Sequence, residues 1–416
     1  MSNNIYINGT WKKELRLYVH VPFCVRKCEY CDFISGPSDE KTIKKYFESL
    51  YTEIRSYKDR AKDYIISSVF IGGGTPSCVD SDYIAKTIIE LEDAFIFDKN
   101  LIMPEITIEV NPGTIDKTKF LAYKKAGINR ISFGLQSCND KELIMLGRIH
   151  TYREFVENYL LARELGFNNI NIDLISALPG QTLRSWEETL DRLGKLKPDH
   201  ISAYSLIIEE GTPFYSLYGP GGDKKDMLPS EDIDREIYKR TGEMLSSYGY
   251  DRYEISNYAK KGYFSSHNLA YWERKNYLGL GITSASLINN TRFNNTNSIE
   301  EYLRLVNSTS DIIPITSINK EKDLLMYDAF GIRRDITRLT KNQQIEEFMF
   351  LGLRKCKGIS KHIFYENFGL PIERVYNNVL LKLESQGLIL IDDDMIRLTS
   401  YGIDISNLVL AEFLLD

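Results

Sequence analysis

Between residues 15 and 249, short apolar runs alternate six times with stretches of helical spacing. The runs are LRLYVHVPF (15–23), YIISSVFIGGG (64–74), ITIEVNPG (106–113), NRISFGLQS (129–137), NINIDLISALPG (169–180) and HISAYSLII (200–208). KTIKKYFESLYTEIRSYKD, KTKFLAYKKAG, TYREFVENYLLARELGF, SWEETLDRLGKLK and SEDIDREIYKRTGEMLSSYGY are among the helical stretches between and after them. Strands that are apolar almost throughout are covered on both faces, so the pattern predicts a parallel α/β sheet wrapped by helices. Six units suit either a doubly wound sheet or most of a barrel, and the period does not choose between them.

The chemically unusual residues gather at one end of these strands. Cysteines follow the first, Gly72, Gly73 and Gly74 end the second, and Glu109 lies in the third with Asn111-Pro112-Gly113 after it. Gln136 ends the fourth and Asp173 lies in the fifth. The carboxyl ends of parallel strands are where such folds build their sites.

The cysteine segment, VPFCVRKCEYCDF, holds Cys24, Cys28 and Cys31 in the spacing Cys-x3-Cys-x2-Cys, with no fourth cysteine nearby. The chain has 416 residues and six cysteines, and the other three (Cys78, Cys138, Cys356) are scattered as small hydrophobes. That is too few for a disulfide scaffold, and a tight cluster reads as metal-binding. A closed zinc site needs four ligands. His20 is near, but no second Cys-x2-Cys exists to complete a zinc module. The other reading is an iron–sulfur cluster with three thiolates and one iron left open to a small molecule.

Net charge is −6 and no long Lys/Arg tract occurs, which disfavours nucleic acid as a partner. The polar start and the lack of any long apolar run predict a cytoplasmic protein without stable membrane insertion. From about residue 250 the rhythm breaks into aromatic-, Asn-, Ser- and Gly-rich sequence read as loops and short elements. From about 321 the chain looks helical (EKDLLMYDAFGI, NQQIEEFMFLGL, PIERVYNNVLLKLESQG) and closes on LILIDDDMIRLT, a strand pair. The expected division is 1–249, 250–320 and 321–416, the last mostly helical and winged-helix-like. Its presumed recognition helix carries no Lys/Arg concentration.

Cys-x3-Cys-x2-Cys with Tyr30 before the last cysteine resembles the signature of the radical S-adenosylmethionine (SAM) superfamily. The resemblance implies a partial (β/α)6 barrel and a [4Fe–4S] cluster on Cys24, Cys28 and Cys31. SAM would complete the open iron, and one-electron reduction would break its sulfonium C–S bond. GGGTPS (72–77), IEVNPGT (108–114), SFGLQS (132–137), LGRIH (146–150) and NIDLISALPGQT (171–182) resemble further blocks of one branch. In that branch Tyr18, Tyr30, Gly73, Gly74, Thr75, Glu109, Gln136, Arg148 and Asp173 would surround SAM. The alternative for Glu109 and Asp173 is a buried carboxylate paired with Arg148 or Arg130.

LYVHVPFC, FIGGGTPS, LPGQT and YEISNYA together resemble the oxygen-independent coproporphyrinogen III oxidase group, over nearly the whole chain. The group holds true oxidases, with a fourth cysteine two residues past the third, and heme chaperones of the HemW type. Here that position is Phe33, and His267-Asn268-Leu269-Ala270-Tyr271-Trp272 matches the chaperones' His-Asn-x-x-Tyr-Trp motif. The short segment before the first strand also disfavours the oxidase, whose arm is longer. The resemblance therefore implies a scaffold without oxidase activity that binds heme and passes it to an apo-haemoprotein. The rival is an oxidase that decarboxylates the propionates of coproporphyrinogen III. His267 is the candidate iron donor, with Asn268, Tyr271 and Trp272 around the porphyrin. The plainer reading is that His267 caps a helix and Trp272 is core. The electron donor and the heme recipient stay open, and the family makes a homodimer plausible.

Overall fold

The structure is a computed structural model describing residues 4–7, 10–308 and 323–415. A short strand, β1 (Asn4–Ile7), pairs antiparallel with β2 (Thr10–Val21). Then follow α1 (Glu40–Arg55), β3 (Tyr64–Gly73), α2 (Ser81–Ala94), β4 (Glu105–Val110), α3 (Lys117–Lys125) and β5 (Arg130–Gln136). After these come α4 (Asp140–Met145), α5 (Tyr152–Glu164), β6 (Ile170–Ser176), α6 (Leu183–Leu196), β7 (His200–Ser205), α7 (Pro213–Tyr218) and α8 (Glu231–Ser247). Strands β2 to β7 lie side by side in sequence order and all run parallel. This is the expected α/β arrangement of six strand–helix units.

Alternation sorts the side chains. Leu15, Leu17, Val19 and Val21 of β2 are fully buried in one core with Tyr46, Phe47, Leu50 and Ile54 of α1. Burying each such side chain stabilises the fold by roughly 1.5–3 kcal/mol. Asp39 holds the start of α1 by accepting the Thr42 N–H at 2.7 Å. The intervening residues, Arg16, Tyr18 and His20, face the other side of the sheet, the barrel interior.

Of the region 250–320, read as loops and short elements, the stretch 251–295 extends the sheet at both edges, and 309–320 lies outside the described residues. β8 (Asp251–Arg252) and β9 (Asn257–Ala259) add antiparallel beyond β7. After α9 (Ser266–Trp272), β10 (Tyr277–Leu280) pairs parallel with β2. β11 (Ala285–Ile288) and β12 (Thr291–Asn295) continue that edge. These strands are two to five residues long, too brief to show a period. α10 (Ile299–Ser308) packs on α1.

The stretch around 324–332 carries helical spacing yet forms one 3-10 turn followed by β13 (Arg333–Arg338), the outermost strand. Asp328 is the reason. Its carboxylate accepts the N–H groups of Phe330, Gly331, Ile332 and Arg333, which ends any helix there.

The C-terminal region has its own core, from Ile345 to Phe413. Its order is α11 (Lys341–Gly352), β14 (Ile359–Ser360), α12 (Lys361–Phe368), α13 (Glu373–Ser385), β15 (Ile389–Ile391) and β16 (Met395–Leu398). Two short helices follow, α14 (Ser400–Asp404) and α15 (Ser406–Ala411). The sheet order β14-β16-β15 completes the winged-helix-like arrangement. Among the described residues no helix is long and apolar enough to cross a membrane.

Candidate cofactor site

The loop after β2 carries the three cysteines and is fastened at both ends. Gly36 donates to Pro22 O (3.1 Å) and Cys24 N donates to Gly36 O (3.0 Å), closing the loop on itself. Glu29 N donates to Leu146 O (3.1 Å) and Phe214 N donates to Glu29 O (3.0 Å), clamping its middle. All three thiols are free and half-buried. Burial pushes the Cys31 thiol up, and Cys28 and Cys24 beside it add to the effect. The Arg148 guanidinium lies 3.5 Å from Cys28 Sγ, and the Thr75 hydroxyl 3.6 Å from Cys24 Sγ. Such donors steady thiolate charge. Among the described residues no three His, Cys, Asp or Glu side chains converge as the ligands of a single ion do.

The end of β3 fits against this loop because it has no side chains. A Cβ on Gly74 would sit 2.6 Å from the Phe23 carbonyl oxygen and 2.9 Å from Cys24 Sγ. Gly73 has φ +117°, and a Cβ there would meet the His20 ring at 2.7 Å. Gly73 N donates to Glu109 Oε2 at 3.1 Å.

Glu109 and Asp173 face the barrel interior from β4 and β6. Asp173 accepts from Ser132 Oγ (2.9 Å) and Asn171 Nδ2 (2.8 Å). Burial, with the Asp173 charge nearby, pushes Glu109 up to about 8. Among the described residues neither carboxylate forms an ion pair. Arg148 instead holds Asn111 Oδ1 and the Gly134 carbonyl, and among the described residues Arg130 forms no salt bridge. A β-bulge between Gly134 and Gln136 turns the end of β5, leaving Gln136 at φ 72°. Tyr18 stacks on Phe70 with ring centroids 6.3 Å apart, and Tyr30 packs edge-on against Phe214.

The HNLAYW block lies at the opposite end of the barrel. Glu105, the first residue of β4, accepts from Ser265 Oγ, Ser266 N and His267 N, pinning the start of α9. Ser265 N also donates to the Tyr253 hydroxyl (3.3 Å), which is bonded to His200, the first residue of β7. α9 thus closes the mouth at the amino ends of the strands. His267 is 1% exposed, with Nδ1 2.8 Å from Ser68 Oγ and Nε2 3.0 Å from the Tyr271 hydroxyl. Expected as a candidate iron donor, it has both ring nitrogens engaged and ties α9 to β3. The helix cap is Ser265, which accepts the Asn268 N–H. Trp272 is only partly buried, with the Arg354 guanidinium 4.5 Å from its ring centroid. Ser68 is five residues from Gly73, so roughly 16 Å of strand separates the two ends.

The sequence profile of the radical SAM superfamily matches residues 18–193, and that of the HemN C-terminal domain matches 339–405. A heme chaperone HemW of Bacillus subtilis is 33% identical over 397 residues, covering 95% of this chain and 98% of that protein. The chain belongs to the HemW family of radical SAM proteins. The Lactococcus lactis HemW heme chaperone is 32% identical over 96% of this chain and 97% of its own length. A zebrafish relative of HemW breadth, the mitochondrial radical S-adenosyl methionine domain-containing protein 1, is 30% identical and covers 97% of this chain and 87% of its own. Among solved structures, coproporphyrinogen III oxidase (HemN) from Escherichia coli superposes with TM-score 0.80 at 23% identity, covering 97% of this chain and 90% of that one. That likeness gives this chain its fold, a radical SAM α/β sheet with a C-terminal helical domain.

Sequence reasoning left out of the site Asn111, Ser132 and Asn171, which orient Arg148, Thr75 and Asp173. Their signal was present: each is a polar residue in or directly after an otherwise apolar strand.

Proposed function

We propose that this chain is a heme chaperone that binds a [4Fe–4S] cluster, SAM and heme, and delivers heme to an apo-haemoprotein. The observation that carries the reading is one arrangement at the barrel mouth. Three thiols stand on a single fastened loop, and a four-iron cluster held by them would keep one iron without a protein ligand. The loop stands beside a side-chain-free strand end, and the two interior carboxylates have no ion-pair partner among the described residues. A sulfonium ligand with an ammonium group supplies the positive charge that Glu109 and Asp173 lack. Cys24, Cys28 and Cys31 would hold the cluster. Gly73, Gly74 and Thr75 would give the ligand a close backbone approach. Glu109, Gln136, Arg148 and Asp173, with Tyr18 and Tyr30, would orient it and exclude water. When bound, the cluster supplies one-electron reduction of the sulfonium.

The heme half rests on the relatives' names and on Asn268, Tyr271 and Trp272 beside His267 in the HNLAYW block. Here His267 shapes the barrel's far mouth.

Anaerobic titration of the reconstituted protein with hemin, followed by addition of an apo-globin, tests the function. Saturable, near-stoichiometric binding and transfer of heme to the globin are expected. Absence of binding, with vinyl product formed from coproporphyrinogen III and SAM, would overturn the reading in favour of an oxidase.

A further inference from the structure

A cleft of about 980 Å³ opens between the far mouth of the barrel and the C-terminal domain. Its volume is at the upper end of the roughly 300–1,000 Å³ usual for small-molecule sites. Trp272, the last residue of the HNLAYW block, lines it from the barrel side, and Phe348 of α11 and Ile363 of α12 line it from the other. Ile363 is exposed despite its apolar side chain. Ion pairs hold the walls together, among them Arg274 Nε with Glu347 Oε2 at 3.0 Å, Arg292 Nη1 with Glu347 Oε1 at 3.0 Å, and Lys355 Nζ with Glu273 Oε1 at 3.3 Å.

The polar part of the lining mixes the carboxylates of Glu14, Glu273, Glu366 and Asp394 with cations, and two of those cations suit a metalloporphyrin. Lys275 and Lys357 both reach the cleft, and among the described residues neither ammonium has an ion-pair partner. They can meet two propionates. His362 stands on α12 with its side chain 71% exposed. Its Nε2 is 3.4 Å from Glu366 Oε1, one helical turn on. A carboxylate at that place orients a ligating imidazole. The backbone of His362 is fixed by its N–H donating to Asp394 Oδ1 at 2.9 Å. By contrast His267 would have to give up Ser68 or Tyr271 before it could bind a metal.

We propose that this cleft is the heme site and that His362, not His267, ligates the iron. The inference rests on the heme-binding reading above and adds the place, the axial donor and the propionate partners. In it, Trp272 and Phe348 cover the macrocycle, and the HNLAYW block serves by presenting Trp272 and holding the far mouth shut.

The test uses the full chain with its cluster reconstituted anaerobically, and follows hemin binding by Soret absorbance. His362→Gly should weaken hemin binding by about tenfold or more and shift the Soret band. Added imidazole should restore the wild-type spectrum. Metal-free protoporphyrin IX, which needs no axial donor, should bind wild type and variant alike. Lys357→Glu should weaken both porphyrins. If the wild type binds hemin and His362→Gly keeps its affinity and spectrum, the assignment of His362 is wrong while the chaperone reading stands. If the wild type binds no hemin, both fall together.

Discussion

At the scale of single residues the site is defined by what its groups lack. Cys24, Cys28 and Cys31 have a fastened loop but only three thiols. Replacing any one by Ser should abolish the cluster, read as loss of protein-bound iron and sulfide, and a variant with full content would remove that residue from the ligand set. Among the described residues Glu109 has no ion-pair partner. Its carboxyl is raised from 4.5 to about 8 by burial and by Asp173. Between those values the folded chain holds a proton that the unfolded chain has released. The stability contributed by the neutral carboxyl is complete below 4.5 and is lost as pH rises through 8. Cluster-free protein should therefore melt at lower temperature as pH is raised from about 6 to about 9, and Glu109→Gln should remove that part of the slope. SAM affinity should run the other way, strengthening as the carboxylate forms. Equal slopes in wild type and variant would show that Glu109 is not the titrating group. The cysteine spacing and the glycine run at this mouth were legible in the sequence itself, whereas the other residues there were named through the family resemblance. The state of His267 was not. A motif names the residue, but only the fold shows that Ser68, distant in sequence, and Tyr271 take both its nitrogens.

At the scale of elements, the long parallel strands and their helices were readable because buried strands and amphipathic helices have distinct periods. The edge strands were not, because two to five residues carry no period. β13 was hidden behind helical spacing that the Asp328 turn overrides. α9 is seven residues long and would not persist alone. It is held by Glu105 at its start and by the His267 side chain. Glu105→Ala leaves two backbone N–H groups at that start without an acceptor, and should cost about 1–3 kcal/mol. Thermal melting should show the loss, and hemin binding should weaken while cluster content is unchanged. Unaltered hemin binding would separate α9 from the heme site. Gly74→Ala acts on the other mouth. Its methyl group collides with the Phe23 carbonyl and Cys24 Sγ, so cluster content should fall, with a stability cost of about 1–3 kcal/mol.

At the scale of the whole molecule, one barrel presents two unlike ends. The carboxyl ends of the strands carry thiols, glycines and interior carboxylates. The amino ends are closed by α9 and abut the C-terminal domain through Arg274–Glu347 and the pairing of Glu254 with Lys355. A SAM-derived species at one mouth would be separated from heme at the other by a packed interior containing Tyr18, Phe70 and His267. Such an arrangement suits a ligand that supports the scaffold better than one that reacts with the cargo. The most direct test is calorimetric titration of SAM into the anaerobically reconstituted protein, with and without saturating hemin. Two separate ends predict that SAM binds in both samples, with affinities agreeing within about twofold. Loss of SAM binding when hemin is present would place both ligands in one mouth and contradict the account.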